Sequence, residues 1–302
     1  MRTLLTGAHG MLGRSIQAAW SNDTELIPIG RSDVDLTDAH ATRAVLSDLR
    51  PDIIIHAAAK VGGIAANLAD QSSFLMQNLL IDSSVLKSAF ETGVQDVIYV
   101  GSSCMYPKDY RQPLVEGDVL AAPLEKTNEG YAIAKIAGSR YASFLSSQFG
   151  VNYKTIIPSN LYGPDDDYSP DRGHLVASAL RKAHDAKRRG ESSIDVWGDG
   201  SARREFTFVG DVAKWIAREL PKIATWPSLM NLGCGYDHSV LEYYQSALAV
   251  VGWDCELVTD PTKPAGMRVK LMDSSLAKNF GWAPETAIED GMRIAYKRFL
   301  AD

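Results

Sequence analysis

The chain has 302 residues, of which 45% are hydrophobic and 23% charged, the balance of an ordinary folded protein, long enough for one large domain or two. A formal net charge of −6 argues against a nonspecific nucleic-acid binder, and no apolar stretch reaches the roughly 20 residues that span a bilayer. Cys104, Cys234 and Cys255 form neither a CxxC pair nor a metal-like spacing with histidine, so neither a disulfide framework nor a metal site is expected.

The opening "MRTLLTGAHG" enters a strand directly, without the apolar core and cleavage site of a signal peptide, which predicts a cytoplasmic protein. "TGAHGMLGRSIQAAW" then turns from strand into helix. Its Gly7, Gly10 and Gly13 fit GxxGxxG, a spacing that permits a tight turn, close approach of a pyrophosphate and close helix packing. Further strands are predicted at "ELIPIG", "DIIIHAAA", "DVIYVGSS" and "YKTIIPSN", separated by helical patterns such as "SSFLMQNLLIDSSVLKSAFETG". Strands alternating with helices imply an α/β fold, a doubly wound parallel sheet of Rossmann type. Gly30 and Arg31 follow the second strand, where a carboxylate would bind the 2′-hydroxyl of NAD and an arginine instead accommodates the 2′-phosphate of NADP. NADP is therefore the expected cofactor, a solvated loop arginine being the other reading.

"GSSCMYP" places two hydroxyls and a thiol where the fourth strand ends, a position at which α/β proteins bind ligands. "NEGYAIAKIAG" sets Tyr131 and Lys135 four residues apart, on one face of a helix. A nearby ammonium favours phenolate and is expected to lower the tyrosine pKa from about 10, suiting it to proton transfer. From "SNLYGPDDDY" onward the pattern loosens into loops and short helices, as in a smaller substrate-binding lobe. "HLVASALRKAHDAKRRG" is predicted helical, with His174 near its start and a basic patch later. "EFTFVGDVAKWIARELP" returns the chain to the first lobe. The expected division is discontinuous: 1–158 plus about 205–230 for dinucleotide, and about 159–204 plus 231–302 for substrate.

The glycine turn, the strand-end serines, Tyr131 and Lys135 together resemble the extended branch of the short-chain dehydrogenase/reductase superfamily. "AAAKVGGIAAN", "GSSCMYPK", "TNEGYAIAKIAG", "NLYGP" and "VWGDGSARREF", in this order, look like the GDP-L-fucose synthase family. The resemblance implies NADPH-dependent 3,5-epimerisation and 4-keto reduction of a GDP-4-keto-6-deoxy sugar. It implies that Ser102 orients the substrate oxygen, Tyr131 exchanges its proton and Lys135 holds the nicotinamide ribose, while Cys104 and His174 move the C3 and C5 protons. Ser103, adjacent to Ser102, is expected to point the opposite way. The implied cofactor contacts are Gly7, Gly10, Met11, Leu12, Gly13, Arg31, Leu36, Ala58, Ala59, Lys135, Pro158, Ser159, Asn160 and Leu161. Those to the GDP-sugar are Lys182, Trp197, Arg204 and Lys270, and a homodimer through helices of the cofactor lobe is implied as well.

Three positions depart from the family's pattern. His9 stands where an arginine is usual, which leaves 2′-phosphate recognition to Arg31. Ala265, in "KPAGMRVK", replaces an aspartate and removes an acceptor for the ligand. Gly210 stands where aspartate is more frequent. These changes admit a related substrate, for a 4-keto reductase or epimerase of another nucleotide sugar, for example a GDP-6-deoxy-heptose. Fold alone does not establish function, so a non-catalytic nucleotide-sensing protein is the other reading, against which the intact Ser102, Tyr131 and Lys135 speak.

Overall fold

The structure, a computed structural model, describes residues 1–21, 24–169, 173–263 and 266–301; Ala265 lies outside them. The strands in chain order are β1 (Arg2–Thr6), β2 (Glu25–Ile29), β3 (Ile53–His56), β4 (Asp96–Val100), β5 (Asn152–Pro158), β6 (Asn160–Tyr162), β7 (Ser193–Trp197), β8 (Arg203–Arg204), β9 (Phe206–Phe208), β10 (Leu229–Leu232), β11 (His238–Ser239), β12 (Glu256–Asp260) and β13 (Val269–Lys270). The helices are α1 (Met11–Ala19), α2 (Ala39–Leu49), α3 (Ile64–Ala69), α4 (Gln71–Glu91), α5 (Glu129–Phe149), α6 (Leu175–Arg189), α7 (Val209–Glu219), α8 (Val240–Val251), α9 (Ser275–Lys278) and α10 (Ile288–Phe299).

Six strands make one parallel sheet in the order β10-β5-β4-β3-β1-β2. Each central strand is buried on both faces, which is why it reads as an unbroken apolar run. Along β3, Ile53 and Ile55 enter the core beneath α1 and α7, while Ile54 enters the opposite core beneath α2, α4 and α5. β4 repeats the alternation, with Ile98 on the first side and Val97 and Tyr99 on the second. Pro28 is tolerated in β2 because that strand is an edge, where a missing backbone donor breaks no ladder. The chain passes from β1 to β2 on one side of it and then crosses to β3 on the other, so the carboxyl ends of β1 and β3 flank the switch point at which such sheets bind ligands.

The remaining strands form smaller sheets, β11-β8-β13, β12-β7 and β6-β9. Around them α6, α8 and α10 bury a second core that includes Val176, Leu180, Tyr243, Ala247 and Met292. The segment from β9 through α7 to β10 returns to the large sheet. Through β13, Lys270 is brought beside Arg204 of β8.

Candidate functional site

The turns after β1, β2, β3, β4 and β5, at the carboxyl edge of the large sheet, each carry a residue singled out in the sequence. After β1, Gly7 has φ of +71°, and a Cβ there would lie 2.7 Å from the backbone of Ala57 and Ala58 in the turn after β3. Only glycine permits both the left-handed conformation and that approach. Gly13 sits on the same turn: its Cβ would stand 2.7 Å from Ala8 Cα. Gly10 is the N-cap of α1 and provides no side-chain cap, so the amides of Met11, Leu12 and Gly13 open toward the turn. Met11 and Leu12 are part of the helix's first turn, and a partly buried Leu36 packs on the core near β2.

Arg31, exposed, follows Gly30 at the end of β2. His9 covers that glycine, since a Cβ on Gly30 would come within 2.6 Å of His9 Cε1. The departure at His9 therefore lies directly beside Arg31. Ala58 and Ala59 follow β3, and Pro158 ends β5. Ser159 Oγ shares a 2.7 Å hydrogen bond with Thr207 Oγ1, and Asn160 and Leu161 open β6.

Beyond β4, Ser102 is extended and its Oγ accepts from the Cys104 amide at 3.2 Å. The same hydroxyl is bonded to the Tyr131 phenol, whereas Ser103 turns inward and is buried. α5 begins at Glu129 and presents Tyr131 and Lys135 one turn apart. Burial, with the charges of Cys104 and Asp82, holds the Tyr131 phenol well above its ordinary pKa, outweighing the bond from Ser102. This corrects the expected lowering. Burial is the largest cause, and Asp82 of α4 adds to it; its Oδ1 lies 3.6 Å from Lys135 Nζ, so the ammonium on which that expectation relied is paired with a carboxylate.

Asp82 is the centre of a buried network that the sequence reading did not include. Tyr99 donates to it at 2.6 Å, His56 Nε2 lies at 3.1 Å, and Lys135 Nζ also stands 4.3 Å over the Tyr99 ring. Although burial opposes it, Lys135, His56 and Tyr99 keep Asp82 ionised below the usual carboxylate range. Burial keeps His56 neutral. An ionised carboxylate only accepts, so His56 carries its proton on Nε2 and accepts on Nδ1 from Thr6 Oγ1 at 2.7 Å. Thr6 in turn accepts from the Ala58 amide at 3.3 Å. One chain of bonds thus joins Lys135 to the cofactor-side turn after β3. A signal was available: the apolar stripe Phe74, Val85, Ala89 of α4 is interrupted by Asn78 and Asp82, and both are buried.

Cys104, half-buried, accepts from Asn128 Nδ2 at 3.0 Å and faces Lys270 Nζ at 4.0 Å. Lys270 is buried, and the same ammonium lies near enough to His174 to oppose its protonation. His174 is the N-cap of α6, and its Nδ1 lies 3.7 Å from Asp166 Oδ1. Burial disfavours its charge, yet Asp166 and Asp167 raise its pKa overall. Cys104, Lys270 and His174 are therefore assembled in one place, with opposite surroundings for thiol and imidazole.

Of the other implied substrate residues, Arg204 is largely buried and pairs in register with Lys270. Lys182 Nζ donates to Asp195 O at 2.7 Å and lies 5.6 Å above the Tyr244 ring. Trp197 is 46% exposed, presenting an open aromatic face, with Lys263 Nζ 6.0 Å from it. Among the described residues no His, Cys, Asp and Glu cluster suits a metal ion.

Residues 3–233 match the NAD dependent epimerase/dehydratase family. The chain is 43% identical over 300 residues to the GDP-L-fucose synthase of Azorhizobium caulinodans, covering 99% of this chain and 96% of that protein. It is 38% identical over 304 residues to the GDP-L-colitose synthase of Yersinia pseudotuberculosis, covering 99% and 98%. The solved structure of MlghC, a GDP-mannoheptose C4 reductase from Campylobacter jejuni with NADP bound, matches with a TM-score of 0.88 at 27% identity, covering 99% of this chain and 98% of that one.

Proposed function

The chain belongs to the GDP-L-fucose synthase family, and on that footing we propose that it epimerises C3 and C5 of GDP-4-keto-6-deoxy-D-mannose and then reduces the C4 ketone with NADPH. The observation that carries this reading is the meeting of two proton-transfer sets at the end of β4. Ser102, Tyr131 and Lys135 form one, and Cys104 with His174 the other.

The glycine cradle of Gly7 and Gly13 and the uncapped first turn of α1 fit a dinucleotide pyrophosphate. Arg31 fits a 2′-phosphate, and Lys135 a nicotinamide ribose. When bound, NADPH supplies the hydride. Tyr131, kept as a neutral phenol, is in the form that gives a proton to the C4 oxygen, which Ser102 orients. Before that step the ketone makes the C3 and C5 protons acidic. Cys104 as thiolate removes such a proton and His174 as imidazolium returns one on the other face. Lys182, Arg204 and Lys270 supply cations for the nucleotide diphosphate, and Trp197 a platform for its base.

The same proposal includes a cytoplasmic homodimer. Met76 and Leu80 of α4, and Ile133 and Phe144 of α5, are exposed on neighbouring helices. Among the described residues no helix is long and apolar enough to cross a membrane.

A second reading rests on the relatives named for other sugars, the colitose synthase and the heptose reductase. On it the chain reduces another GDP-4-keto sugar. Incubation with GDP-4-keto-6-deoxy-D-mannose and NADPH in D2O, followed by NMR of the product, separates the two. Deuterium at C3 and C5 with GDP-L-fucose formed supports the proposal, whereas C4 reduction without inversion supports the second reading. Absence of NADPH oxidation across a panel of GDP- and other nucleotide-linked 4-keto sugars would leave a nucleotide sensor.

A further inference from the structure

Asn128 occupies the N-cap of α5, a position where asparagine ordinarily accepts a bond from the first-turn amides. Here it makes no such cap. Its Nδ2 is turned instead to Cys104 Sγ at 3.0 Å, while its buried Oδ1 has no partner. The cap has been given up, and among the described residues the sulfur is the one side-chain hydrogen-bond partner that orients the amide. A neutral thiol is a weak acceptor, but a thiolate is a strong one.

Lys270 makes the same point from the other side. It is 8% exposed, and among the described residues no carboxylate forms an ion pair with it. Among the described residues, its one polar side-chain contact is Cys104 Sγ, at 4.0 Å. A buried ammonium is costly unless a negative charge stands close. The groups facing Cys104 are Ser102 on its own turn, Asn128 ahead of α5, Tyr131 on α5, and Lys270 on β13, while Glu125 acts on Lys270. Arg204, Glu205 and His174 lie around Lys270.

We propose that Asn128 and Lys270 are positioning residues for Cys104: the amide and the ammonium together hold its sulfur as an oriented thiolate. For Lys270 this is a role at the thiol in addition to any contact with a diphosphate. The proposal rests on the reading of Cys104 as the epimerising base, but its test does not require substrate.

The test is alkylation of the free enzyme by iodoacetamide, followed residue by residue through mass spectrometry of the Cys104 peptide, with Cys234 and Cys255 as internal references. Asn128→Asp, isosteric but unable to donate to sulfur, and Lys270→Met should each slow Cys104 alkylation about tenfold at neutral pH. The deficit should close at alkaline pH, where any thiol ionises. Lys270→Arg keeps the charge and should restore most of the rate. Retained NADPH binding shows that each variant is folded. Alkylation of Cys104 at the wild-type rate in either variant overturns that residue's assignment, whatever its turnover. Slowed alkylation in both, in an enzyme that exchanges no C3 or C5 proton, upholds the assignment and removes the epimerase reading instead.

Discussion

Asp82→Asn is the most demanding test of the buried network, because it keeps shape and removes only charge. Lys135 and Asp82 are each 2% or less exposed, with Nζ and Oδ1 3.6 Å apart. Two unit charges at that distance interact by about 4.6 kcal/mol at an effective dielectric constant near 20. Removing one partner of a buried pair typically costs about 3–5 kcal/mol, since the other charge is left uncompensated. The cost has a ceiling. Lys135 can escape by losing its proton, which at pH 7 requires about 4.6 kcal/mol for a lysine of ordinary pKa. The variant should therefore be less stable than the wild type by about 3–5 kcal/mol at pH 7 in urea unfolding, out of a total of roughly 5–15.

The pH dependence has a definite sign. In the variant, burial depresses the folded-state pKa of Lys135 with no carboxylate to oppose it, so the unfolded state binds more protons and stability rises with pH. The gap to wild type should narrow by about 1.4 kcal/mol per pH unit once the lysine is neutral in the fold. Gly138→Ala probes the same network without touching a charge. Its Cβ would lie 2.6 Å from Tyr99 Cζ and 3.1 Å from Asp82 Oδ2, driving the phenol off the carboxylate. A loss below about 1 kcal/mol in Asp82→Asn at both pH 7 and pH 8.5 would refute the view that Lys135 depends on this carboxylate.

Arg31→Ala should raise the KM for NADPH about 10- to 100-fold, as expected for loss of a charge-assisted bond to phosphate, with little change for NADH; equal effects on both cofactors would remove Arg31 as the discriminator. Asp166→Asn should move the alkaline limb of the pH–rate profile to lower pH, because the carboxylate that raises the His174 pKa is gone and the imidazolium is lost sooner as pH rises. An unmoved limb in steady-state kinetics across pH would dissociate Asp166 from His174.

The elements most legible in the sequence were those whose signal is local. A strand buried on both faces must be apolar throughout, and "DIII" and "DVIYV" showed it. A left-handed turn pressed against a neighbouring strand requires glycine, so Gly7 announced itself before any fold was known. Tyr131 and Lys135, four residues apart on one helix, could be paired by counting alone.

Partnerships across distant elements depended on tertiary structure. Lys135 was readable as a cation near a phenol; that Asp82 would neutralise it depends on the packing of α4 against α5, which no spacing encodes. His56 looked like the end of an apolar strand and became a donor to Asp82 because the parallel register sets β3 beside β4 and beneath that helix. Asn128 and Lys270 are 142 residues apart, yet both reach Cys104, one from the start of α5 and the other from β13. Periodicity reports which face of an element is buried. The charge or hydrogen-bond donor met on that face is decided by which elements the fold brings together.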